Sequence, residues 1–170
     1  MLSFDIRSLE TKAVHVDGSL APDDPIWEEA DLRPTDPIRV TGRLSSAGEG
    51  RFYFTGRIEG RTELPCRLCL EEVEVSIDED VHLLLAEIGA DEADDPDVFL
   101  YDPAERMLDL RAAVRENWLL TVPKYAQCSE DCKGLCATCG TNLNESTCSC
   151  ITTTTDSRWD ALLKHQGKSH

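Results

Sequence analysis

Long apolar runs are missing from this chain. The longest candidate, VHLLLAEI, is bracketed by acids and falls well short of the 18 or more residues that a membrane span needs. Residues 1–20 (MLSFDIRSLETKAVHVDGSL) contain no continuous apolar segment of the kind a secretory leader carries, so a reducing cytoplasm is the expected compartment. Basic residues are also scarce, with 17 Lys and Arg against 33 Asp and Glu and a formal net charge of −16. Such a balance disfavours a broad face for phosphate backbones and favours a basic partner, attracted by a field that salt weakens. Three dispersed cations, Lys124, Lys133 and Arg158, make a weak footprint, so direct RNA binding is not expected. The four histidines (His15, His82, His165 and His170) show no ligand spacing, which argues against a catalytic zinc with an open position. Deaminase, G-x-S-x-G, P-loop and G-x-G-x-x-G patterns are all absent. The chain is therefore read as a non-enzyme.

What it does have is cysteine. Six thiols fall within residues 128–150, CSEDCKGLCATCGTNLNESTCSC: Cys128, Cys132, Cys136, Cys139, Cys148 and Cys150. The centre is Cys136-Ala-Thr-Cys139-Gly140. Two intervening residues let both sulfurs face one ion while backbone N–H groups donate to them, and a following glycine can take the positive φ that closes the turn. A tetrahedral site needs a second pair, and both Cys148/Cys150 and Cys128/Cys132 are on offer. Disulfides do not suit a reducing compartment, and a thioredoxin-like dithiol would need a helix after its C-x-x-C. Structural zinc is the expectation.

Cys66-Arg67-Leu68-Cys69 is a second C-x-x-C, preceded by Pro65 and lying between two predicted strands. It supplies two ligands only, and three readings compete. It can complete a second set of four, pack unmetallated as small apolar side chains, or offer half a site to a partner or a redox reaction. Eight cysteines divide evenly into two sites of four, which favours the first.

The rest of the chain reads as a small β domain. Residues 1–35 suggest a short opening strand (Phe4, Ile6, Leu9) and then a proline-rich arm whose Trp27 docks on the core. Ile38, Val40, Gly42 and Leu44 alternate with polar residues. Phe52, Phe54, Gly56 and Ile58 do the same, and so do Val73, Val75 and Ile77, followed by Val81, Leu83 and Leu85. Period-two alternation predicts an antiparallel meander with one buried face, turned at Ala47–Gly50 and curled by its glycines into a barrel-like core. Residues 71–97 hold twelve acids and no Lys or Arg, and 87–97 read as an acidic loop. A helix is predicted over 109–122, capped by Asp109 and ended by Pro123, with Leu110, Ala113, Val114, Asn117 and Leu120 on one face. A second short helix is expected at 156–164. The class is α+β, with a core at 1–125 and a zinc-ribbon-like module with a closing helix at 126–170.

Several of these segments occur together in a known family. P-C-R-L-C-L-E at 65–71, DLRAAVRENWLLTVP at 109–123, C-x3-C-K-G-L-C-x2-C-G-T-N-L-N at 128–144 and DSRWDALLK at 156–164 resemble the YceD family of large ribosomal RNA subunit accumulation proteins. The resemblance spans most of 36–164 and is weak before that. It departs from the family's pattern at Arg67 and Leu68, where Arg stands second and Leu third. It implies a cytoplasmic, non-catalytic factor needed for normal large-subunit RNA levels, with Cys66, Cys69, Cys132, Cys136 and Cys139 as the marked positions. It also implies a small basic ribosomal protein, or a pre-ribosomal particle containing one, as the partner. The alternative from another class is a thiol-based redox or metal-responsive regulator using Cys66 and Cys69.

Overall fold

The alternating segments become three long strands. In a computed structural model, which describes residues 1–91 and 95–150, β3 (Ile38–Gly48), β4 (Arg51–Pro65) and β5 (Glu72–Glu87) form an antiparallel meander. Their alternate residues, among them Ile38, Val40, Leu44, Phe52, Phe54, Ile58, Val81, Leu83 and Leu85, turn inward and are buried. The opposite face is polar and laced with cross-strand pairs such as Arg57–Asp78 and Arg61–Glu74. Gly42 and Gly56 face each other across β3 and β4. A Cβ on either would collide with the carbonyl oxygen of Thr55 or Thr41, so this crossing tolerates no side chain.

Two strands extend the meander. β2 (Val14–Leu20) pairs antiparallel with β3, and β6 (Val98–Tyr101) pairs in parallel with β5, giving the order β2-β3-β4-β5-β6. Among the described residues β2 and β6 each pair on one side only. The five-stranded sheet is thus mixed and open, where the sequence suggested an all-antiparallel, barrel-like closure. A parallel neighbour cannot be reached through a tight hairpin, and ten residues separate the end of β5 from the start of β6.

A small second layer covers the buried face. β1 (Ser3–Asp5) pairs with β7 (Met107–Asp109). Between β1 and β2 lies α1 (Ile6–Thr11), whose N-terminus Asp5 caps by accepting from the Ser8 N–H at 3.2 Å. Neither α1 nor β2 was legible in the linker-like reading of residues 1–35. The predicted helix is α2 (Arg111–Thr121); its N-cap is Leu110, which makes no side-chain capping bond, and Asp109, the expected cap, stands one residue earlier and accepts from the Arg111 N–H at 2.9 Å. Its buried side chains are Ala113, Val114 and Trp118, whereas Leu120 is 76% exposed. The face is rotated from the expected one because Trp118 fills the space over Gly60, 2.7 Å from where a Cβ there would sit. Trp118 Nε1 donates to the Leu32 carbonyl at 2.9 Å and Trp27 Nε1 to that of Ala21 at 2.8 Å, so both indoles tie down the proline-rich arm. The expected helix at 156–164 lies outside the described residues.

Candidate metal centres

The turn between β4 and β5 carries Cys66 and Cys69. Cys66 N–H donates to Glu71 O at 2.8 Å, and Leu70 N–H donates back to Cys66 O at 2.9 Å. The second C-x-x-C repeats the scheme: Cys136 N–H donates to Thr141 O at 2.8 Å and Gly140 N–H to Cys136 O at 2.9 Å. In both turns the residue after the second cysteine is left-handed, with φ of 64° at Leu70 and 73° at Gly140. Glycine adopts this freely, whereas a leucine there costs roughly 1–2 kcal/mol. The positive φ was predictable at Gly140 and hidden at Leu70.

Residues 124–135 run back to the first turn. Cys66 and Ala126 form a parallel bridge, Arg67 N–H donates to Ala126 O at 2.9 Å, and Leu135 N–H donates to Leu68 O at 3.0 Å. Gly134, with φ of 71°, makes the last approach possible, because a Cβ there would sit 3.0 Å from the Leu68 oxygen. Cys128 and Cys132 are thereby brought to Cys66 and Cys69. These bonds tie residues 126–135 to the β4–β5 turn.

All eight sulfurs fall into two quartets. Cys66, Cys69, Cys128 and Cys132 make one, and Cys136, Cys139, Cys148 and Cys150 the other, each with its four Sγ atoms within 4.8 Å of one another. In the first, Cys66 and Cys132 Sγ are 3.9 Å apart and Cys69 and Cys128 Sγ 3.6 Å. A tetrahedral zinc with bonds of about 2.3 Å needs sulfurs about 3.8 Å apart. These thiols are free, and the donor set fits zinc. The eight cysteines singled out from the sequence all fall in these two groups, and geometry answers which of them lie together.

The electrostatics split each quartet into thiols that ionise easily and thiols that resist. Cys66 Sγ receives the Cys69 N–H above all, which outweighs burial and holds the thiol down to about 6. Cys136 is held at about 6 by the N–H groups of Cys139 and Thr138. The Asn144 amide lowers Cys132, and the Thr141 hydroxyl lowers Cys139. Their neighbours move the other way. At Cys69 the Glu71 N–H pulls downward, but burial and the adjoining thiols push the group up to about 12. Cys139 does the same to Cys150. Each quartet readily loses its first protons and resists losing the rest unless a positive ion shares the charge. The first is the more enclosed: Cys66 and Cys69 are 0% and 3% exposed, while the second keeps only Cys136 buried.

Residues 54–164 match the family described as "Large ribosomal RNA subunit accumulation protein YceD", an interval that takes in both quartets. The chain belongs to the YceD family. A curated relative, "Large ribosomal RNA subunit accumulation protein YCED homolog 1, chloroplastic" of Zea mays, is 25% identical over 175 residues. That alignment covers 86% of this chain and 59% of the relative, so this YceD-family chain spans well under two thirds of that protein's length. No solved structure matches. No described helix is long and apolar enough to cross a membrane.

Proposed function

We propose that this chain is a non-enzymatic factor in the biogenesis of the large ribosomal subunit, built around two structural tetrathiolate zinc sites. The observation that carries the reading is the closure of both quartets. Each offers four thiols, with no histidine or carboxylate in the set and no position left for water or substrate, which is the signature of a structural and not a catalytic site. Bound zinc would supply cross-linking, joining the β4–β5 turn to residues 128–132 at one site and closing residues 136–150 on themselves at the other. The same closure disfavours the alternative of a redox regulator at Cys66 and Cys69, whose sulfurs are buried.

The partner we propose is a small basic protein of the large subunit, met in the cytoplasm. Arg57 and Arg61 already neutralise Asp78, Asp80 and Glu74. Glu72, Glu79, Asp91, Asp95 and Asp97 have no cationic partner among the described residues, so the acidic contact is centred on β5 and the loop after it. Capture of the tagged chain from its host at low salt tests this. One small basic large-subunit protein, released by moderate salt, is the expected companion. A capture free of ribosomal material would refute the reading.

A further inference from the structure

We infer that the outer side of the β4–β5 cysteine turn is a contact site for single-stranded RNA. The inference rests on the reading of the chain as a large-subunit assembly factor. A groove of about 390 Å³ runs along this turn, lined by Leu64, Pro65, Arg67 and Leu70 on one bank and Lys124 and Tyr125 on the other, with no carboxylate in its walls. Most other depressions differ: the one beside α1 holds Glu10, Glu87 and Glu105, and the one beside α2 holds Asp97 and Glu116, while a shallow one at Ala13, Val14, His15 and Arg43 shares the lack of carboxylates but has no exposed aromatic ring.

Three features of the groove point to a ligand. Tyr125 is 73% exposed and presents an open aromatic ring. Leu70 is 64% exposed at the left-handed position that the cysteine turn requires and that Gly140 fills in the other turn, so an apolar side chain stands in water where glycine would suit the backbone better. Such an outlier is a recognised mark of a functional position. Neither cation has a carboxylate partner among the described residues: Arg67, next to Cys66 of the first quartet, donates to the neutral Gln127 side chain at 2.9 Å, and Lys124 makes no ion pair. Aromatic and apolar surface flanked by cations that no carboxylate pairs fits a base stacked on Tyr125 with adjacent phosphates on Arg67 and Lys124. Total charge argues against a broad RNA face, and a footprint of this size is compatible with it. Sequence separates Arg67 from Lys124 and Tyr125, and only the Cys66–Ala126 bridge brings them side by side.

The test is fluorescence anisotropy of a labelled oligouridylate of about ten nucleotides with the zinc-loaded full chain. Binding is expected to fall with salt at a logarithmic slope of about −1.4 for two phosphates, reduced by about 0.7 in Arg67→Gln or Lys124→Gln. Tyr125→Ala should weaken binding about tenfold at fixed salt. Leu70→Gly should also weaken it while leaving zinc content and thermal stability intact or improved, which separates contact from folding. No binding at low salt, or binding indifferent to Tyr125→Ala and Leu70→Gly, overturns the proposal. So does preference for an acidic, apolar peptide over the RNA. If the basic protein is still captured while RNA binding is absent, only this inference fails.

Discussion

Cys69 and Cys128 hold their Sγ atoms 3.6 Å apart across 59 positions of sequence. One belongs to the turn of the sheet and the other to the irregular segment after α2, so a metal bound here joins two parts of the chain with little other secondary structure in common. The second quartet lies wholly within 136–150 and closes a local loop. The two sites therefore differ in what they hold together.

Removing one ligand from each should expose that difference. Both Cys69→Ser and Cys139→Ser are expected to lower bound zinc from two ions per chain to one, measured by elemental analysis. Cys139→Ser should leave hydrogen-exchange protection of β4 and β5 unchanged. Cys69→Ser should loosen the β4–β5 turn and release residues 126–150. The same exchange pattern in both variants would contradict the division.

Thiol reactivity gives an independent view. In the zinc-loaded protein all eight thiols should resist a coloured thiol reagent. On adding a chelator, the second quartet is expected to react ahead of the first, because it has three accessible thiols (Cys139, Cys148, Cys150) and one buried, against two accessible (Cys128, Cys132) and two buried in the first. Two fast thiols before any chelator would favour the redox regulator.

The glycine pair of the sheet should be intolerant of side chains. Gly42→Ala or Gly56→Ala places a methyl group against the backbone of the facing strand, and the strands must separate to admit it. A loss of about 1–3 kcal/mol or more is expected from chemical denaturation. Gly48→Ala has open space around its Cβ and, with φ of 94°, isolates the backbone cost from the packing cost.

Acid should weaken the docking of the arm. Asp31 accepts two N–H bonds from Arg115, at 2.6 and 2.9 Å, and this partner holds its carboxyl below the usual carboxylate range. A depressed folded-state value means that the contribution is complete above about pH 3.9, the ordinary value, and is lost as pH falls through the folded one. Asp31→Asn is expected to lower stability at neutral pH and flatten its decline in acid, followed by urea unfolding across that range. An unchanged acid slope would show that the pair is not coupled to folding.

The sequence alone determined whatever depends on neighbours in the chain. Period-two alternation marked β3, β4 and β5, because successive side chains of a strand point to opposite faces. C-x-x-C followed by Gly140 marked one metal turn, because spacing and φ are local properties. The tertiary structure decided the rest. It made β6 parallel, left the sheet open, buried Trp118 in place of Leu120, and set Leu70 in a conformation its identity conceals. It also sorted eight cysteines into two quartets. Which sulfurs share an ion depends on where the β4–β5 turn meets residues 126–135, and a long-range meeting of that kind is set by packing and backbone pairing, not by spacing along the chain.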